Sequence, residues 1–73
     1  MVSMDIHLDM TDGKPTALIN LTDGNPVLVR YPTSWLDIDQ YIGEYSISEA
    51  NIRWHEDVYG WLEHEWGERP ISM

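Results

Sequence analysis

Hydrophobic residues alternate through the first part of the chain and then change period. Between Val2 and Met10, Met4, Ile6, Leu8 and Met10 fall on one side while Ser3, Asp5, His7 and Asp9 fall on the other. That is the period of a half-buried strand. Thr16 to Leu21 repeats it, with Ala17, Ile19 and Leu21 facing one way and Leu18 the other, and Pro26 to Tyr31 adds Val27, Leu28 and Val29. Thr11-Asp12-Gly13-Lys14 and Thr22-Asp23-Gly24-Asn25 separate the three runs. Asp-Gly accommodates the positive φ values of a tight hairpin, so the pattern predicts a three-stranded antiparallel meander.

After Pro32 the period lengthens. Ser34 is placed as an N-cap, Asp37 follows three residues on, and Trp35, Leu36, Ile38, Tyr41 and Ile42 make a short amphipathic helix stopped at Gly43. The longest pattern is Ser46–Gly67, opened by a Ser46/Glu49 capping box and closed by Gly67 with Pro70 beyond. On a helical wheel it gathers Ile52, Trp54, Val58, Tyr59, Trp61, Leu62 and Trp66 on one face, and Glu49, Arg53, Glu56, Asp57, Gly60, Glu63 and His64 on the other. Glu49, Glu56 and Glu63 then recur every seven residues, a near-axial row of carboxylates roughly 10 Å apart. A competing reading puts a strand over 51–55 and a shorter helix from Val58, because Ile47, Ile52 and Trp54 are β-friendly. Gly60 also costs about 1 kcal/mol inside a helix. The two-faced pattern over five turns favours the single helix. The expected fold is α+β, one domain over residues 1–73: the meander, a short helix, and a longer C-terminal amphipathic helix packed on the sheet.

Composition sharpens this. A chain of 73 residues without cysteine cannot be stapled by disulfides and must build its core from large side chains, here four Trp and four Tyr. Thirteen acidic residues against four basic ones give a net charge of −9. Such a chain repels nucleic acid and anionic membranes and attracts basic surfaces. The charge is uneven, −2 over residues 1–33 and −7 over 34–73, so it travels with the helical part. No apolar run approaches the roughly 20 residues of a membrane span, and the expected location is the cytoplasm.

Specific chemistry is sparse. His55-Glu56 begins an H-E-x-x-H zinc motif, but Tyr59 stands where the second histidine belongs. Asp9-x-x-Asp12-Gly13 lacks the alternating ligands and terminal Glu of a calcium loop. No phosphate-cradling glycine loop or nucleophile elbow is present, and neither a cofactor, a metal nor an enzymatic activity is expected.

The acidic residues carry the functional expectation. Glu49, Glu56, Asp57 and Glu63, with Asp37, Asp39 and Glu44 on the preceding segment, have few cations interspersed. Spaced carboxylates on a rigid element imitate a phosphate backbone and fit the Lys/Arg groove of a nucleic-acid-binding protein. Small acidic proteins of phages and mobile elements act in this way against host defence systems, in the host cytoplasm. Trp54 and Trp61, seven apart on one edge of the aromatic arc, are candidates for an apolar contact, including one in a homodimer. Two alternatives share the composition. One is an antitoxin or immunity protein that neutralises a basic enzyme; the other is a domain whose acidity is adapted to a high-salt cytoplasm. Acids concentrated on one surface favour recognition, and scattered acids favour salt adaptation.

Overall fold

The computed structural model describes residues 4–21 and 27–70. Its architecture is α+β: a four-stranded mixed sheet with two helices on one face. β1 (Met4–Thr11) and β2 (Lys14–Leu21) form the long antiparallel hairpin that the alternation predicted, in a register pairing Ile6 with Ile19 and Leu8 with Ala17. Asp12 (φ 52°) and Gly13 (φ 75°) make its turn, both central residues taking positive φ as a primed hairpin turn requires. The second expected turn, Thr22–Asn25, lies outside the described residues, as do Val2 and Pro26 at the expected strand ends. β3 (Leu28–Arg30) completes the meander antiparallel to β2.

α1 (Trp35–Glu44) begins where the sequence placed it. The Ser34 hydroxyl accepts from the backbone N–H of Asp37. Its end differs: Gly43 stays inside the helix, and Ser46 (φ 52°) takes the left-handed position. The Ile47 N–H donates to the Ile42 carbonyl at 2.9 Å and the Ser46 N–H to the Gly43 carbonyl at 3.2 Å. This pair of bonds is a Schellman closure, and it turns Ile47 into the core.

The expected long helix over Ser46–Gly67 is replaced by three elements. A 3₁₀ turn at Glu49–Asn51, capped by the Ser48 hydroxyl rather than by Ser46, leads into β4 (Ile52–Trp54). After a turn at 55–57 comes α2 (Val58–Trp66), ended by Gly67 at φ 82°. The competing strand-then-helix reading therefore describes this segment. The physical reason is long-range: β4 runs parallel to β1, with Ile52 beside Ile6 and Trp54 beside Leu8, giving the order β3-β2-β1-β4. Two apolar residues spaced by two thus complete the inner face of the sheet, which no isolated helix would do.

One side of the sheet bears the core. Ile6, Leu8, Ala17 and Ile19 meet Trp35 and Ile38 of α1, Ile47, and Val58 and Leu62 of α2. Trp35, 4 % exposed, is the keystone. Its ring contacts Trp54, Tyr59 and Trp66 at centroid distances of 6.1, 5.4 and 5.5 Å, and its indole N–H donates to the Gly67 carbonyl at 2.8 Å. Arg30, at the other end of the inner face, donates to the Tyr45 hydroxyl at 2.7 Å and lies over the Tyr41 and Tyr45 rings. Among the described residues no helix packs on the reverse side of the sheet, where Leu18 and Val29 are exposed. No described helix is long and apolar enough to cross a membrane.

Candidate functional site

Breaking the long helix redistributes its acids. Glu49 sits on the 3₁₀ turn, Glu56 in the loop after β4, and Glu63 on α2, so they no longer form an axial row. At about 100° per residue, Val58, Leu62, Trp66 and Tyr59 take the inward arc of α2. Glu63 and Glu65 lie on opposite flanks of its outward arc, with Gly60 and His64 between them. Two more of the expected contact residues are engaged internally. The Asp37 carboxylate accepts from both the backbone N–H and the hydroxyl of Thr33, which hold it below the usual carboxylate range and pin the entry to α1. Asp39 pairs with Arg69 at 3.2 Å, and Glu49 lies 4.0 Å from the same guanidinium, which also faces the Trp54 ring. Glu44 is exposed at the end of α1. The aromatic pair separates too. Trp54 is half-buried on β4 against Tyr59, with centroids 4.7 Å apart, whereas Trp61 is on α2.

Three expected residues do come together. Glu56, Asp57 and Trp61 line an open depression of about 420 Å³ with Asp9, Met10, His55 and Val58. Its floor is fixed by backbone: the His55 N–H donates to the Leu8 carbonyl at 2.9 Å, extending the β1–β4 ladder, and the Val58 N–H donates to the His55 carbonyl at 3.1 Å. Glu56 bridges them at φ 44°, a left-handed conformation unfavourable for a side chain with a Cβ. Strain of that kind persists only where the surroundings impose it. Here the parallel pairing of β4 on one side and the start of α2 on the other do so.

Sequence reasoning weighed Asp9 and His55 only as metal ligands, and their meeting at this site is new. Asp9 Oδ1 accepts from the Met10 N–H at 2.7 Å and lies 3.3 Å from His55 Nδ1. The pair separates the depression from a smaller cavity of about 160 Å³ on the reverse side of the sheet, where His7, Thr11, Thr16 and Leu18 join the lining. His7 Nε2 stands 3.7 Å from Asp5 Oδ1, a buried oxygen without a hydrogen-bond partner among the described residues. No group of three His, Asp or Glu side chains among the described residues is placed to hold a metal ion. The Asp9–His55 contact joins residues 46 apart in sequence through strand pairing, so no local motif announces it.

Chemically, the depression presents carboxylates at its rim and one indole. That combination is chemically suited to a cation: carboxylates attract it by Coulomb forces and an indole ring can face a cationic head. The Thr16 hydroxyl, which lines the smaller cavity, donates to the Lys14 carbonyl at 3.3 Å. The chain matches no protein-family model, no curated protein and no solved structure.

Proposed function

We propose that the protein is a non-enzymatic acidic interaction protein that docks on a basic surface, such as the nucleic-acid groove of another protein. The depression at the start of α2 takes a Lys or Arg side chain from that surface. The observation that supports this is the convergence of Asp9, Glu56, Asp57 and Trp61 on one opening in a chain of net charge −9. A phosphate-like repeat plays no part in this mode of binding, since Glu49, Glu56 and Glu63 lie on separate elements. An anti-defence inhibitor and an immunity protein both fit this mode of binding.

The test is an NMR titration with a short arginine-rich peptide, followed by capture of nucleic-acid-binding proteins on the immobilised chain. The Trp61 indole resonance should shift with the peptide. Retained proteins should be released both by salt and by duplex DNA. The Glu56→Lys/Asp57→Lys variant should lose both responses while keeping its fold. Retention by that variant equal to the parent would remove this surface from consideration.

A second reading has its own observation. Glu44, Glu49, Glu63, Glu65 and Glu68 are exposed and divided among α1, the 3₁₀ turn, α2 and the residues after it. Dispersal is what solvation in a high-salt cytoplasm requires. Under that reading the fold itself needs molar salt, whereas under the first the chain folds at low salt and only its complexes are salt-sensitive.

A further inference from the structure

Five large hydrophobic residues are exposed among the described residues, and four of them, Leu18, Val27, Val29 and Tyr31, lie on or next to β2 and β3, with exposures from 37 % at Leu18 to 59 % at Tyr31. Leu18 and Val29 are directly paired across β2 and β3. Both point away from the helices, since their neighbours Ala17, Ile19 and Leu28 belong to the core side. Val27 and Tyr31 continue the alternation of Val29 beyond each end of β3. The charges on this side differ from those of the rest of the molecule. By strand register it bears Asp5 and Asp9 of β1, Lys14 of β2 and Arg53 of β4, two carboxylates balanced by two cations in a chain of −9.

We propose that this sheet face is the contact surface for a second copy of the chain. Charge selects the occupant. A strongly basic partner is drawn to the carboxylate-rich rest of the molecule and gains nothing at a neutral, apolar strip. Two copies of a −9 protein repel wherever acids face acids, and they approach at least cost where charge is balanced. A two-fold axis along the strands between β2 and β3 lays each apolar strip on its counterpart. The same arrangement keeps Asp5, His7, Asp9 and Arg53 at the margin and leaves the depression beside α2 open. Size sets the strength. Four strands span roughly 14 Å between outer axes and an eight-residue strand about 26 Å, and only the β2–β3 side is matched. The buried surface is thus below the about 800 Å² per partner of a stable interface, and the dimer is weak and concentration-dependent.

This inference is independent of the acidic docking site, and its salt dependence is opposite. Screening removes the residual repulsion between copies, so self-association strengthens with salt while docking on a basic partner weakens. The experiment is sedimentation equilibrium from roughly 10 μM to 1 mM, at low and moderate salt. The weight-average mass should climb from monomer towards dimer with concentration, and more steeply with added salt. Val29→Lys and Tyr31→Lys, each checked for an unchanged circular dichroism spectrum, should stay monomeric at every concentration. Val29→Lys tests the strip within β3, and Tyr31→Lys tests it outside any strand, where a charge cannot disturb pairing. A parent that is monomeric throughout overturns the proposal. So does a dimer that survives both variants, or one abolished by Glu56→Lys instead.

Discussion

Replacing Trp35 by phenylalanine tests the account of what holds this small fold together. The substitution keeps an aromatic ring in the core but deletes the indole N–H that donates to the Gly67 carbonyl at 2.8 Å. Gly67 is exposed, so water replaces the lost donor and the cost is that of one net hydrogen bond, about 0.5–1.5 kcal/mol. The smaller ring also loosens the edge-on contacts with Trp54 and Trp66, each of a kind worth about 0.5–1.5 kcal/mol. A combined loss of roughly 2–4 kcal/mol follows, against a total of about 4–11 kcal/mol expected for a chain of this length. Urea unfolding followed by far-ultraviolet circular dichroism measures it without relying on tryptophan emission. The midpoint should fall sharply with the slope unchanged. Trp54→Phe, at a half-buried strand position, serves as the comparison and should cost less. Should Trp35→Phe lose under about 1 kcal/mol, the indole–carbonyl bond is not a significant tie between α1 and the end of α2, and the keystone role assigned to Trp35 is mistaken.

Other substitutions probe separate features. Asp37→Ala should destabilise at neutral pH and lose that effect in strong acid. Because Thr33 depresses the folded-state pKa, the carboxylate's contribution is present above its unfolded pKa and disappears as pH falls through the folded value; parallel urea titrations at neutral and acid pH check the sign. Glu56→Gly should raise stability by roughly 1 kcal/mol by relieving the left-handed backbone, while weakening capture of basic partners. An unfolding midpoint that drops instead would show that the Glu56 side chain contributes more than its strain costs. Arg69→Met removes the pairing with Asp39 and the cation over Trp54, and should cost about 1–2 kcal/mol by thermal unfolding at low salt. Adding salt should shrink that difference.

Local signals carried the first half of the fold. The alternation around Ile6 and Leu8, the Asp12-Gly13 turn and the Ser34 cap each act within a few residues, so the hairpin and the start of α1 were legible. The segment after Ser46 was not, because its conformation depends on β1. Ile52 and Trp54 suit either an inward helix face or an inward strand face until Ile6 and Leu8 are available to pair with. A hint lay in the width of the arc. An apolar face covering about half a helix exceeds what one sheet-packed helix normally needs, and the spacing Ile52-Arg53-Trp54 is that of a strand. The candidate site follows the same division. Glu56, Asp57 and Trp61 were within reach as an acidic and aromatic neighbourhood. The regular row through Glu49, Glu56 and Glu63 was an artefact of the assumed helix. Asp9 and His55 meet only through the parallel ladder.

The parallel pairing of β4 with β1 also governs how the chain can be assembled. β1 occupies the middle of the sheet, yet its second neighbour is supplied 46 residues later, at Ile52 beside Ile6. Along the chain, the β1–β2 hairpin and α1 both precede that neighbour. Closing so long a loop costs on the order of 3 kcal/mol in chain entropy before any contact repays it. Until then one edge of β1 remains open, with Ile6 and Leu8 only partly covered, and an open apolar edge invites pairing with other chains. The chain is therefore most vulnerable to aggregation until Ile52–Trp54 is in place, and that short strand acts as the latch.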